Sequence, residues 1–273
     1  MEKRRNYNCI KLHININRFY EKSISLQLSV RSTDFEEGFA EMNREGISVG
    51  TQRSYDLSKG SGIVEMEDET YYRIDESDGM DPFLVNLVSA NNHWMFIASN
   101  GALTAGRQDA DNALFPYCTQ DKLFDLPHAV GSLNLIWVER PESEGAVLWE
   151  PFGEKGAGQA GQTNLYKNAG GNKLIFEEVN SDLGLRFRYS WTFSDRFGFV
   201  RHASIENLGK GPVALRVLDG IQNLVPYGLD QAFVSQFSNL ADAYKKSELL
   251  VSERIGIFYL SSIPTDRAEP SEG

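Results

Sequence analysis

Between Leu185 and Phe193 apolar and polar side chains alternate without a break. Leu185, Phe187, Tyr189, Trp191 and Phe193 stand against Arg186, Arg188, Ser190 and Thr192. A period of two is the mark of a strand with one face in a core and the other in water. "SDR" follows as a tight turn, and "FGFVRHASIE" (197–206) returns as a second strand. "NLGKG" turns again into "PVALRVLDG", which puts Val213, Leu215 and Val217 on one face. The pattern predicts a three-stranded antiparallel meander over 185–218 with turn chemistry at both bends. Further strands are predicted at 23–30, 92–98, 132–139, 146–151, 173–179 and 254–262. "GEKGAGQAGQTNLYKNAGGNK" (153–173) reads as a flexible Gly-rich connector, since no Gly-Lys-Ser/Thr ending of a phosphate loop is present. A helical period appears at 231–251, with Phe233, Phe237, Leu240 and Tyr244 three and four residues apart. A second helical stretch, acidic, is predicted at 35–46. Many strands with one or two helices predict an all-β fold of two packed antiparallel sheets, a single domain over 1–273.

Composition narrows the function classes. With 273 residues, 41% of them hydrophobic and 11% aromatic, the chain supports a self-standing globular core. Its net charge of −11 repels phosphate backbones and anionic lipid, which disfavours nucleic acid and membrane surfaces as partners. Neutral partners such as sugars meet no such penalty. No apolar run reaches the roughly 18 residues of a membrane span. "MEKRRNYNCIKLHININ" lacks the apolar stretch of a secretory signal. Cys9 and Cys118 are too few for a disulfide framework and read as thiols in a reducing, cytoplasmic compartment.

Candidate chemistry concentrates in "SNGALTAGRQDADNALFPYCTQDKLFD" (99–125), which reads as a long loop after the 92–98 strand. Gly101 and Gly106 give backbone freedom, and Arg107 can pair with Asp109 or Asp111 across a bend. Phe115 and Tyr117 either stack on a sugar face or anchor the loop to the sheet. Arg107, Asp109, Asp111 and Tyr117 are therefore the candidate substrate-binding residues. Asp121 and Asp125 are ordinary loop carboxylates by their setting. His13, His93, His128 and His202 show no metal-ligand spacing, and Cys118 with His128 lacks a third orienting group. No residue qualifies as catalytic, and no metal site is expected.

Two stretches carry a family resemblance. "WMFIASNGALTAGRQDADNALFPYCTQDKL" resembles the N-terminal domain of cellobiose phosphorylase-like enzymes, formerly classed among the glycosyltransferases. "RHASIENLGKGPVALRVLDGIQNLVP" is similar to a later β-sandwich segment of the same domain, and the likeness spans about residues 90 to 225. It implies an antiparallel super-β-sandwich akin to galactose mutarotase, followed by a helical linker and an (α/α)6 barrel that holds the general-acid Asp. "IPTDRAEPSEG" ends the chain without such helices. The resemblance thus implies the front part of a longer inverting glycoside phosphorylase acting on β-glucosides, its catalytic Asp beyond residue 273. Inorganic phosphate would be the co-substrate in place of water, with no other cofactor. The implied partners are an oligosaccharide substrate, the barrel domain of the same chain and a second subunit in a homodimer. Two other readings stand beside it: a non-catalytic carbohydrate-binding or interaction module, and a mutarotase-type epimerase. The epimerase needs a His acid and a Glu base. His202 and Glu206 are the only pair that invites it, and about 13 Å of strand separates their backbones.

Overall fold

The computed structural model describes residues 9–15, 62–127, 129–139, 145–153 and 161–262. The predicted strand at 23–30, the acidic stretch at 35–46 and His128 lie outside the described residues. In chain order the strands are β1 (Cys9–Asn15), β2 (Gly62–Met66), β3 (Glu69–Ile74), β4 (Leu84–Leu87), β5 (His93–Ala98), β6 (Leu103–Arg107), β7 (Ala113–Phe115) and β8 (Gly131–Glu139). They continue as β9 (Ala146–Trp149), β10 (Gln162–Asn168), β11 (Lys173–Asn180), β12 (Leu185–Ser194), β13 (Gly198–Asn207), β14 (Leu215–Gln222), β15 (Lys245–Leu250) and β16 (Ile255–Leu260). Among the described residues three short α-helices interrupt them, α1 (Gln120–Leu123), α2 (Gln231–Gln236) and α3 (Ser238–Tyr244), with 3-10 turns at Ser77–Gly79 and Ala110–Asn112.

The strands form a seven-stranded sheet, β1-β13-β12-β11-β10-β3-β2, a four-stranded sheet, β4-β5-β6-β7, a three-stranded sheet, β14-β8-β9, and the hairpin β15-β16. Neighbouring strands run antiparallel throughout. The two smaller sheets face the large one across a single apolar core. Leu174, Phe176, Phe187, Tyr189 and Trp191 come from the large sheet, Met95, Ile97 and Phe115 from the four-stranded one, and Ile136, Val138 and Trp149 from the three-stranded one. The fold is all-β, antiparallel and sandwich-like, as the period-two pattern predicts.

Leu185, Phe187, Tyr189, Trp191 and Phe193 all face this core. The opposite face of β12 is only partly wet. Arg186 is buried, and Arg186 and Arg188 both pair with Glu177, a fully buried carboxylate on β11. Arg186 also holds Glu206 on β13 at 2.5 Å. Long-range partners turn a charged strand face into covered structure, which alternation alone does not reveal.

Three other expectations change. β12 and β13 are neighbours, but β14 does not extend their meander. The free edge of β13 is taken by β1, with Glu206 opposite Cys9, so β14 crosses the core and pairs with β8. The supposed connector 153–173 contains β10, which runs in the middle of the large sheet between β3 and β11. Its Asn164, Leu165 and Tyr166 are buried, and the glycines lie to either side of it. The helix expected over 231–251 is two short ones broken at Phe237, whose φ of −130° and ψ of 39° are not helical. Asp230 caps α2 by accepting from the Phe233 amide at 2.6 Å. From Lys245 the chain is strand β15, because β16 offers it a full antiparallel ladder.

Candidate functional site

The 99–125 stretch is a folded part of the four-stranded sheet rather than a loop. β5 turns at Gly101 into β6, a 3-10 turn at Ala110–Asn112 reverses the chain, β7 pairs back on β6, and α1 follows. A bulge between Ala105 and Gly106 lets the turn close. Gly106 is obligatory there: a Cβ would lie 2.6 Å from the Asn112 carbonyl oxygen and 2.8 Å from the Trp94 ring. Phe115 is the anchor, fully buried and edge-on to Trp191 at 5.9 Å.

Asp109 organises the reversal. Its carboxylate accepts from the backbone amides of Asp111 and Asn112 and from the Asn112 side-chain amide, at 2.8 to 3.2 Å. Its carbonyl accepts from the Trp94 indole at 3.2 Å. Gln108, just before it, sits at φ +60°, a left-handed position that tightens the corner. The expected pairing of Arg107 with Asp109 or Asp111 does not form, because the turn amides take the Asp109 carboxylate and the Gln231 amide takes that of Asp111. Asp111 accepts from the Gln231 amide at 3.1 Å and so ties the turn to the start of α2.

Between this sheet edge and the 225–229 segment lies an open cleft with about 480 Å3 of empty space, part of it open solvent. His93, Arg107, Asp111, Phe199, Tyr227 and Leu229 are among its walls. Val225 is fastened to the sheet by its amide, which donates to the Leu114 carbonyl at 2.8 Å. His93 and Arg107 are directly opposite in the β5–β6 register. Burial, and then the Arg107 charge, hold the His93 imidazole below its ordinary pKa, so it is neutral at pH 7. Its Nδ1 is buried and unpartnered, and the ring lies edge-on to Phe199 at 5.0 Å. Arg107 and the Tyr227 ring are exposed at the mouth.

Of the four candidates read from sequence, Arg107 and Asp111 line this cleft together. Asp109 braces the turn beside it, and Tyr117 packs on Trp94 at 5.9 Å with 41% of its surface exposed. His93 and Tyr227 were missed. His93 carries a usable signal, since a hairpin over 93–107 places it across from Arg107. Tyr227 reaches the cleft only through tertiary folding.

Among the described residues the cleft is lined by one cation, Arg107, one carboxylate, Asp111, the His93 imidazole and the exposed Tyr227 ring, a set that suits hydroxyl recognition. A proton-donating carboxyl needs a raised pKa. Among the described residues the carboxyls displaced from their ordinary range, Glu69, Asp121 and Glu177, all lie below it. For Glu177 burial pushes upward, but the Arg188 and Arg186 charges and hydrogen bonds from Asn164 and Tyr166 outweigh it. Glu206, the base of the epimerase reading, is committed to Arg186. Among the described residues no cluster of His, Cys, Asp and Glu could hold a metal ion, and no helix is long and apolar enough to cross a membrane. Cys118 is a half-buried free thiol whose burial, with Asp121 beside it, raises its pKa. Compared with known proteins, the chain matches no family model and no curated protein.

Proposed function

We propose that this sandwich is the front domain of a cytoplasmic carbohydrate-active enzyme, an inverting glycoside phosphorylase of the cellobiose phosphorylase type acting on β-glucosides. In that enzyme the domain contributes to the substrate site and to subunit contact, and the general-acid Asp and the phosphate site belong to a barrel beyond residue 273. The observation that carries the reading is the cleft of His93, Arg107, Asp111 and Tyr227. It is built on the segment whose sequence resembles that family, within an all-β sandwich-like fold. Arg107 offers planar donors and Asp111 acceptors for sugar hydroxyls, and Tyr227 offers a ring face.

A non-catalytic carbohydrate-binding module is the second reading, favoured by the cleft's single carboxylate among the described residues, Asp111, where glycoside cleavage needs a pair. Both readings expect the 273-residue chain alone to bind cellobiose without cleaving it. Isothermal titration with cellobiose and an aryl β-glucoside assay test this together. Binding weakened several-fold by Arg107→Ala supports the cleft. Turnover abolished by replacing a single carboxylate of this chain would place the chemistry here and overturn the reading. A phosphate-dependent release of glucose 1-phosphate by the longer enzyme separates the phosphorylase from the binding module.

A further inference from the structure

A second polar recess lies where the three sheets meet, away from the Arg107 cleft. It has about 400 Å3 of empty space, part of it open solvent. Asn100, Ser132, Asn134, Glu150, Tyr189 and Gln222 converge on it. Its floor is built on a buried charge. Arg201 is fully buried and donates to Asp219 at 2.7 and 2.9 Å, to Asn134 Oδ1 at 2.7 Å and to Ser132 Oγ at 2.9 Å. Asp219 neutralises the guanidinium, so the floor carries dipoles and no net charge. Asn134 is 3% exposed, and Arg201 fixes which end of its amide is the acceptor. The amide nitrogen makes no hydrogen bond within the described residues and is left facing the recess that Asn134 lines. A ligand acceptor placed there takes over from water as the partner of this fixed donor.

The rim is equally deliberate. Glu178, buried, accepts from the Trp149 indole at 3.0 Å and from the Phe152 amide at 2.7 Å. This clamp holds Phe152 at φ +65°, a strained position for a large side chain. The strained turn carries Glu150 and Phe152 to the edge of the recess. Glu150 is exposed and forms no ion pair among the described residues. On the other side Gly101 leaves room for nothing but hydrogen, since a Cβ would lie 3.0 Å from the Tyr189 hydroxyl.

We infer that this recess is a binding site for one neutral, hydroxyl-rich ring, distinct from the Arg107 cleft. The Asn134 amide donates to the ligand, the Glu150 carboxylate accepts from a pair of hydroxyls, and Phe152 supplies an apolar wall. Anions are disfavoured, because among the described residues the cation beneath the recess, Arg201, is already neutralised by Asp219 and the rim bears the Glu150 carboxylate.

The test is a titration of the isotopically labelled 273-residue chain with D-glucose, followed by amide resonances, with inorganic phosphate as the charged comparison. The Asn134 side-chain amide and the Trp149 indole shift saturably with glucose and do not move with phosphate. Glu150→Ala, at an exposed position, keeps its melting temperature and weakens glucose binding about tenfold. Asn134→Asp keeps the acceptor for Arg201, loses the donor and weakens binding by a similar factor. Shifts confined to His93 and Arg107 would leave the Arg107 cleft as the sugar site and overturn this inference. An unchanged affinity in Glu150→Ala, or a phosphate response at Asn134, overturns it as well.

Discussion

Trp191 shows how two terms of opposite sign meet in one side chain. It is fully buried in the shared core, yet its indole N–H has no partner. Removing the ring leaves a large cavity between β12 and β7, and Trp191→Ala is expected to cost about 3–5 kcal/mol. Trp191→Phe keeps most of the apolar volume and deletes a buried donor whose isolation costs about 1–3 kcal/mol. The expected net loss is therefore under about 1.5 kcal/mol. Urea denaturation at constant m-value measures both, and a Phe variant as damaged as the Ala variant would show that the N–H is satisfied in solution.

At the scale of elements, the sandwich is pinned by a polar bolt. Arg201 on β13 crosses the core to Asp219 on β14 and to Ser132 and Asn134 on β8, with the Tyr189 ring 5.0 Å from its guanidinium. Asp219→Ala strands a buried cation and is expected to cost about 3–5 kcal/mol. The double change Arg201→Met with Asp219→Leu removes both charges and is expected to recover most of that loss, which a thermal melt of the three variants checks. This bolt was within reach of the sequence. Phe199, Ala203 and Ile205 point inward on β13, so Arg201 does too, and Asp219 falls in step with Val217 and Ile221 on β14. Strands β8, β11, β12 and β13 were legible from their apolar, β-prone residues, with β12 showing the clearest alternation. β10 was hidden because glycines flank it. β15 was hidden because the spacing of Phe233, Phe237, Leu240 and Tyr244 runs into it, although Phe237 and Leu240 are 52% and 43% exposed. In the cleft, Arg107 and Asp111 were found by residue type. The capping by Asp109 follows the local habit of Asp before a turn, whereas the bulge at Gly106 depends on its contacts with Trp94 and Asn112 across the sheet.

For the whole molecule, acid acts in two separate windows. The His93 pKa is lowered by burial and by Arg107, so the folded state takes up its proton less readily than the unfolded chain. Its contribution is complete above the ordinary value of 6.5 and falls away as pH drops below it. The Glu177 pKa is also lowered, so its contribution is complete above 4.5 and is lost as pH falls through the folded value. Unfolding free energy plotted against pH is expected to decline first below 6.5 and again below 4.5. His93→Gln removes only its share of the upper decline. Glu177→Gln flattens the lower one at the expense of stability at neutral pH, since Arg186 and Arg188 lose their shared partner. A profile in which His93→Gln leaves the upper segment unaltered would assign that segment to the other histidines.

The partnership of β14 with β8 sets an order of events in time. β10 to β13 are joined by short turns, and their ladders close with little loss of chain entropy. β8 must wait until β9 to β13 have been placed before Gly131–Glu139 meets Leu215–Gln222. Nucleation then belongs to the β11–β13 ladder, and the crossing closes after the rate-limiting barrier. Substitutions at Asp219 accordingly accelerate unfolding and leave the refolding rate nearly untouched, whereas substitutions at Phe187 slow refolding. Stopped-flow chevrons of Asp219→Asn and Phe187→Leu separate the two, and a slowed refolding limb in the first would put the crossing inside the nucleus.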